Sequence, residues 1–182
     1  MMLYWHFRNL QCILTAFFKS RITDPRTSVT KRFWANPLDS DWLQGIQAGT
    51  FFLYTDAARW DLGVRTGFVR AAIRNGWVIV LGGQKIIHRR PVKIFRSFDL
   101  QIRFAGWDDK WIYASHVFSQ SGEAKCVSFT KIGIRKRGKL LSPVEAFKTM
   151  GFAETCPPPK TILNHFADDL DVFAQVSAPN PN

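Results

Sequence analysis

Apolar positions near the start of the chain recur at Leu3, Phe7, Leu10, Leu14 and Phe17. Steps of four and three lay them on one face of a helix over 1–20. His6, Asn9 and Gln11 interrupt the apolar run, so it is too short and broken to span a membrane. It lacks the lysine-rich start and small-residue cleavage site of a signal peptide. The preferred expectation packs this stripe on the domain, the usual fate of such a face. The other lays it on a membrane surface, with Arg8, Lys19 and Arg21 at the lipid headgroups.

Further on, 28–34 reads as a strand that ends at Asn36-Pro37, because proline cannot donate to a sheet ladder. A loop runs from Leu38 to Gly49. A long helix opens at Thr50, with Phe51, Tyr54, Ala58 and Leu62 on its buried face, and is bent by Gly63 and Gly67 before Asn75-Gly76 stops it. The period then changes from helical to alternating. Trp77–Leu81 and Lys85–Arg90 read as strand around a bulge at Gly82-Gly83. Phe98–Trp107, Trp111–Ser119 and Lys125–Arg135 follow, joined by turns at Asp108-Asp109 and Ser121-Gly122. On the last of these, Cys126, Ser128, Thr130, Ile132 and Ile134 share a face. Ser142-Pro143 starts a short helix that ends at Met150-Gly151. Three prolines in Thr155–Lys160 mark a linker. A final helix would bury Ile162, Phe166, Leu170 and Phe173 and turn Asp168, Asp169 and Asp171 outward.

One long helix followed by a run of antiparallel strands is an α+β layout. A sheet wrapped around that helix is the hotdog arrangement. Three segments follow: an N-terminal amphipathic helix over 1–22, a hotdog domain over 23–151, and a proline linker with a C-terminal helix over 152–182.

The 182 residues suit one domain with a real core, and apolar residues at 46% exclude wholesale disorder. A net charge of +11 calls for an anionic partner: nucleic acid, a membrane surface or a polyanionic small molecule. No phosphate-binding glycine loop and no nucleic-acid motif accompanies the charge, which sets nucleic acid aside. Cys12, Cys126 and Cys156 are odd in number and far apart, which reads as reduced thiols in a reducing compartment. His6, His88, His116 and His165 are scattered without ligand spacing, so no metal is expected.

Several motifs in order resemble the acyl-CoA thioesterase-like hotdog proteins related to 4-hydroxybenzoyl-CoA thioesterase. They are Gly106-Trp107-Asp108-Asp109-Lys110-Trp111, Asp56-Ala57-Ala58-Arg59-Trp60-Asp61-Leu62, Arg65-Thr66-Gly67 and Arg89-Arg90-Pro91. Together they cover about residues 25–150. That branch carries Asp-x-Asp-x-x-x-His-x-Asn-Asn before its helix. Here the stretch is Asp39-Ser40-Asp41-Trp42-Leu43-Gln44-Gly45-Ile46-Gln47-Ala48. Both aspartates stand, whereas Gly45, Gln47 and Ala48 replace the His and the two Asn.

The resemblance implies a cytoplasmic hydrolase that splits an acyl-CoA thioester into free acid and coenzyme A. It needs no cofactor beyond that substrate. Asp41 matches the carboxylate that serves as general base or nucleophile, and Asp39 is the second candidate. Read without the resemblance, both are loop carboxylates that cap the following segment. Ala48, Gly49 and Thr50, at the helix N-terminus, would offer N–H groups to the oxyanion. Glycines at 45 and 49 would let backbone approach closely. Lys85, Arg89, Arg90, Lys93 and Arg96 would meet the phosphates of coenzyme A, or else form a solvated basic edge. Trp42, Phe51 and Phe52 would line the acyl tunnel. An open sheet edge implies a homodimer or homotetramer with sites at the subunit interface. The missing His and Asn motivate an alternative, a hotdog protein that binds acyl-CoA or lipid without turning it over.

Overall fold

A computed structural model of the chain describes residues 2–40, 45–152 and 156–169, the side chains from Tyr4 onward. Helix α1 spans Met2–Phe17 and strand β1 Val29–Trp34, followed by a single 3-10 turn at Pro37–Asp39. Helices α2 (Ala48–Arg65) and α3 (Phe68–Asn75) come next. Strands β2 (Trp77–His88), β3 (Ser97–Trp107), β4 (Ile112–Gln120), β5 (Glu123–Lys136) and β6 (Lys139–Leu141) then run in succession, and α4 (Pro143–Thr149) and α5 (Lys160–Asn164) close the chain.

All strands pair antiparallel, in the order β1-β3-β4-β5-β2, with β6 added to β5. The sheet curls around α2, which is the expected hotdog arrangement. Alternation dictates this: Phe98, Leu100, Ile102 and Phe104 of β3 and Cys126, Ser128, Thr130, Ile132 and Ile134 of β5 are all buried. Phe51, Tyr54, Ala58 and Leu62 of α2 meet them, as the helical spacing predicts. The expected bend is a break: Gly67 takes φ +80°, a left-handed conformation glycine adopts without strain, and separates α2 from α3. The expected bulge in β2 is a register shift between Leu81 and Gly83. Ser142 caps α4 by accepting the N–H of Val144.

Two expectations need correction. In α1 the stripe expected to pack, Phe7, Leu10, Leu14 and Phe17, is 52–68% exposed. The opposite face, with Trp5, Cys12 and Ala16, is buried instead. Buried carboxylates decide the orientation. Arg8 reaches Asp39 at 3.3 Å and Lys19 reaches Asp61 at 3.2 Å, and both acids are almost wholly enclosed. An unpaired buried carboxylate is costly, so these pairs override the wider apolar stripe. Small Cys12 and Ala16 let the two helices approach. Arg8 and Lys19 are therefore both engaged by buried carboxylates.

The second correction concerns the C-terminal segment. Asp169 does not face outward; it pairs with Lys131 at 2.7 Å and Lys85 at 3.0 Å on the outer face of the sheet. Ile162 and Phe166 pack there against Tyr113. Leu170, Asp171 and Phe173 lie outside the described residues. The proline linker also touches the sheet, since the Trp107 N–H donates to the carbonyl of Cys156 at 2.7 Å. Gly106 permits this contact: a Cβ there would stand 2.6 Å from that carbonyl oxygen.

The Gly-Trp-Asp-Asp-Lys-Trp stretch is thus a turn held by its own side chains. Asp108 accepts the N–H groups of Lys110 and Trp111 and the hydroxyl of Tyr113. Trp107 stacks on Phe147 with centroids 4.0 Å apart.

Candidate active site

The segment leading into α2 is stapled at both ends. Asn36 accepts the N–H of Leu38, fixing the turn at Pro37–Asp39. Ser40 and Ile46 form an isolated bridge, and Gln47 donates to the Asp39 carbonyl at 2.8 Å. Ile46 donates to the Val92 carbonyl at 3.0 Å. Asp41 and Trp42 lie on the span between these staples, outside the described residues.

Asp39 is committed to structure. It is 2% exposed and accepts the Tyr54 hydroxyl at 2.5 Å beside the Arg8 contact. The Arg8 guanidinium sits 4.4 Å from the centre of the Tyr54 ring and 5.0 Å from that of Trp5. Burial pushes the Tyr54 phenol well above its ordinary range; Arg8 opposes the shift and Asp39 adds to it. This phenol stays protonated and donates.

Gly45 stands where a His is expected from the family pattern, and it is packed. A Cβ there would lie 2.6 Å from the Val92 carbonyl oxygen and 3.2 Å from Pro91. No side chain fits at this position without moving the backbone of 91–92. Helix α2 begins at Ala48, and Gln47 places no side-chain cap on it. Gly49 is exposed, with open space where a Cβ would point, whereas the Thr50 N–H already donates to the Gln47 carbonyl. Phe51 is core, packed edge-on against Phe118 and against His88 at 4.9 Å; Phe52 is half-buried.

The five basic residues are divided by the fold. Lys85 points to the outer face of the sheet, where Asp169 and the Phe166 ring hold it. Arg90 pairs with Glu123. Arg89, Lys93 and Arg96 are exposed along the segment between β2 and β3 that leads past Val92.

Beneath α2 lies a layer of buried polar side chains that the sequence reading did not collect. Gln84 donates to Thr55 at 2.5 Å and Arg59 donates to Thr130 at 3.2 Å. His116 is fully buried, with Nδ1 3.3 Å from the Ser128 carbonyl. Its Nε2 and the Ser128 Oγ have no hydrogen-bond partner among the described residues. Burial, helped by the charge of Arg59, pushes His116 down to about 3, so its imidazole is neutral near pH 7. Burial also lowers Arg59 to about 10 and raises the Cys126 thiol to about 12, which makes that thiol a poor nucleophile. Among the described residues no group of three or more His, Cys, Asp or Glu is placed to hold a metal.

The other feature missed in the sequence is a cleft of about 570 Å³ between the α2–α3 junction and β2. Trp60, Phe68, Val69, Ile73, Trp77 and Leu81 are among its walls, and the Asp56–Arg59 pair lines it too. The volume falls in the range of roughly 300–1,000 Å³ usual for small-molecule sites. The available signal was the unbroken apolar run Trp77–Leu81, since a strand apolar on both faces has something to cover on each.

The cleft and the stapled loop lie at opposite ends of β2. Helix α2 runs antiparallel to that strand: Phe51 meets His88, Thr55 meets Gln84, and Gly63 shares the cleft with Leu81. Strand β2 is also an edge of the sheet and exposes Val78, Ile79, Leu81 and Ile87.

A family model described as the thioesterase-like superfamily matches residues 36–166. The chain is 28% identical over 115 residues to Protein THEM6 of Danio rerio, which covers 63% of this chain and 57% of that protein. A hypothetical protein from Aquifex aeolicus superposes with a TM-score of 0.61 at 17% identity, over 67% of this chain and 98% of that one. A thioesterase from Thermus thermophilus, complexed with coenzyme A and zinc, gives 0.59 at 17% identity, over 67% and 90%. At these identities the superpositions show a shared fold.

Proposed function

The chain belongs to the thioesterase-like superfamily, and from that premise we propose that it hydrolyses an acyl-CoA to the free acid and coenzyme A. The observation that carries this reading is the separation of loop and cleft along one edge strand of the sheet. Two copies paired antiparallel through β2 would bring the loop of one protomer to the cleft of its partner. The exposed Val78, Ile79, Leu81 and Ile87 would be covered in the same step. The apolar cleft suits an acyl chain, and the exposed Arg89, Lys93 and Arg96 suit the phosphates of coenzyme A. The Thermus thermophilus thioesterase complexed with coenzyme A supports that ligand class.

In this reading Asp41 takes a proton from water or attacks the thioester carbonyl itself. The N–H groups of Ala48 and Gly49, at the positive end of α2, stabilise the oxyanion. Thr50 contributes through the backbone turn that its N–H closes. Asp39 holds the loop and takes no part in the chemistry. A second reading, binding without turnover, is favoured by the closure over Gly45, which leaves no side chain where the family places a His.

The test is release of free coenzyme A from short, medium and long acyl-CoAs by wild type and Asp41→Asn. Turnover that collapses in the variant supports the hydrolase and its carboxylate. No turnover on any substrate, with ligand-dependent thermal stabilisation, supports the binding protein. Mixing Asp41→Asn with the cleft-filling Val69→Trp tests the shared site. Mixed dimers regain activity only if loop and cleft come from different protomers.

A further inference from the structure

The outer face of α1 is exposed among the described residues. Phe7, Leu10, Leu14 and Phe17 form its exposed stripe, and Phe18, 91% exposed, extends it. Three residues beyond Phe18, Arg21 enters an open polar cleft of about 550 Å³. Arg70 and Arg74 of α3 line the same cleft with Thr66, Asn75 and Thr149, and no carboxylate among the described residues lines it. Among the described residues none of these three arginines lies within ion-pair distance of a carboxylate. What sets them apart from the exposed Arg89 and Arg96 is that all three line one cleft. The apolar stripe and the three arginines are joined through the backbone leaving α1, which is held against the end of α2. Ile22 donates to the Arg65 carbonyl at 3.0 Å, and Arg65 donates to that of Ser20.

We propose that this continuous surface binds an anionic phospholipid bilayer, the α1 stripe entering the acyl boundary and Arg21, Arg70 and Arg74 meeting headgroup phosphates. Charge complementarity selects this occupant. A partner helix would cover the apolar stripe but would leave a cleft of three arginines unanswered. An anionic bilayer offers hydrocarbon and phosphate side by side, which is what an interfacial helix with basic residues recognises. The helix lies on the surface; among the described residues no helix is long and apolar enough to cross a membrane. This inference does not rest on the hydrolase reading, since it uses none of the residues assigned to that chemistry.

The experiment is flotation of the full chain with vesicles of phosphatidylcholine alone and of an equimolar mixture with phosphatidylglycerol. Two variants accompany it: Leu10→Ser with Leu14→Ser and Phe17→Ser, and Arg21→Gln with Arg70→Gln and Arg74→Gln. Circular dichroism and melting temperature establish that each is folded. The expected result is wild-type binding to the mixed vesicles that weakens with salt. Either folded variant should lose about tenfold or more in partitioning. Failure of the wild type to float, or folded variants that bind equally, would overturn the proposal. Self-association that depends on the stripe, without vesicle binding, would also overturn it and give the face to a second copy of the chain.

Discussion

The hydroxyl of Tyr54, on the second turn of α2, donates a 2.5 Å hydrogen bond to the buried carboxylate of Asp39, at the start of the candidate catalytic loop. Arg8 of α1 closes the arrangement from the other side at 3.3 Å. One carboxylate therefore ties the N-terminal helix, the loop and the central helix together. The N-terminal helix is a support of the site as well as a cover on the core.

Removing Arg8 or neutralising Asp39 leaves its partner's charge buried without an opposite charge, held only by neutral hydrogen bonds. Arg8→Ala and Asp39→Asn should each destabilise the fold by about 3–5 kcal/mol in urea denaturation. Tyr54→Phe deletes only the hydroxyl and should cost about 1–3 kcal/mol. If Arg8→Ala leaves both the midpoint and the slope of unfolding unchanged, the tie is not structural.

Restoring the family's His at position 45 should harm the protein. The Val92 carbonyl stands where even a Cβ would go, so the backbone of 91–92 or the loop must move. Gly45→Ala should cost about 1–3 kcal/mol, and Gly45→His at least as much, with no gain in turnover. A melting curve and a coenzyme A release assay on both variants check this. A stable Gly45→His protein with raised activity would refute it.

His116 should make stability depend on acid. Its ordinary value of 6.5 applies to the unfolded chain, and burial lowers it to about 3 in the fold. The unfolded state therefore binds the extra proton as pH falls below about 6.5, and the native state does not. The stability associated with the neutral ring is complete above that pH. It is lost toward pH 3 at about 1.4 kcal/mol per pH unit. His116→Gln should lack this component, seen as a shallower slope of unfolding free energy between pH 6 and about 4. Equal slopes in the two proteins would show that the ring is hydrated or paired.

Trp111 lies across two glycines of neighbouring strands. A Cβ on Gly133 would stand 2.9 Å from its ring, and one on Gly82 would also overlap it. Gly133→Ala should destabilise the fold by about 1–3 kcal/mol in the wild-type background. In a Trp111→Ala background the same change should cost much less, a coupling of roughly 0.5–3 kcal/mol in a double-mutant cycle. Additive effects would place the strain elsewhere.

Most of the fold was legible in the sequence. The alternation Phe98, Leu100, Ile102, Phe104 and the spacing Phe51, Tyr54, Ala58, Leu62 determine which side of each element is buried. The turns at Asp108-Asp109 and Ser121-Gly122 force consecutive strands into antiparallel neighbours. The motifs around Trp107 and Arg59 pointed to the family by resemblance. Tertiary structure decided the rest. An apolar stripe reads the same whether it meets a core or an open surface, so Phe7 and Leu10 could not announce that they face out. That choice was made by Asp39 and Asp61, carboxylates far along the chain whose burial requires Arg8 and Lys19. The cleft at Trp60 and Leu81 and the loop before Ala48 likewise belong to opposite ends of β2 only once that strand lies antiparallel to α2. Periodicity is local and specifies faces; which faces meet is fixed by long-range charge pairing and strand register.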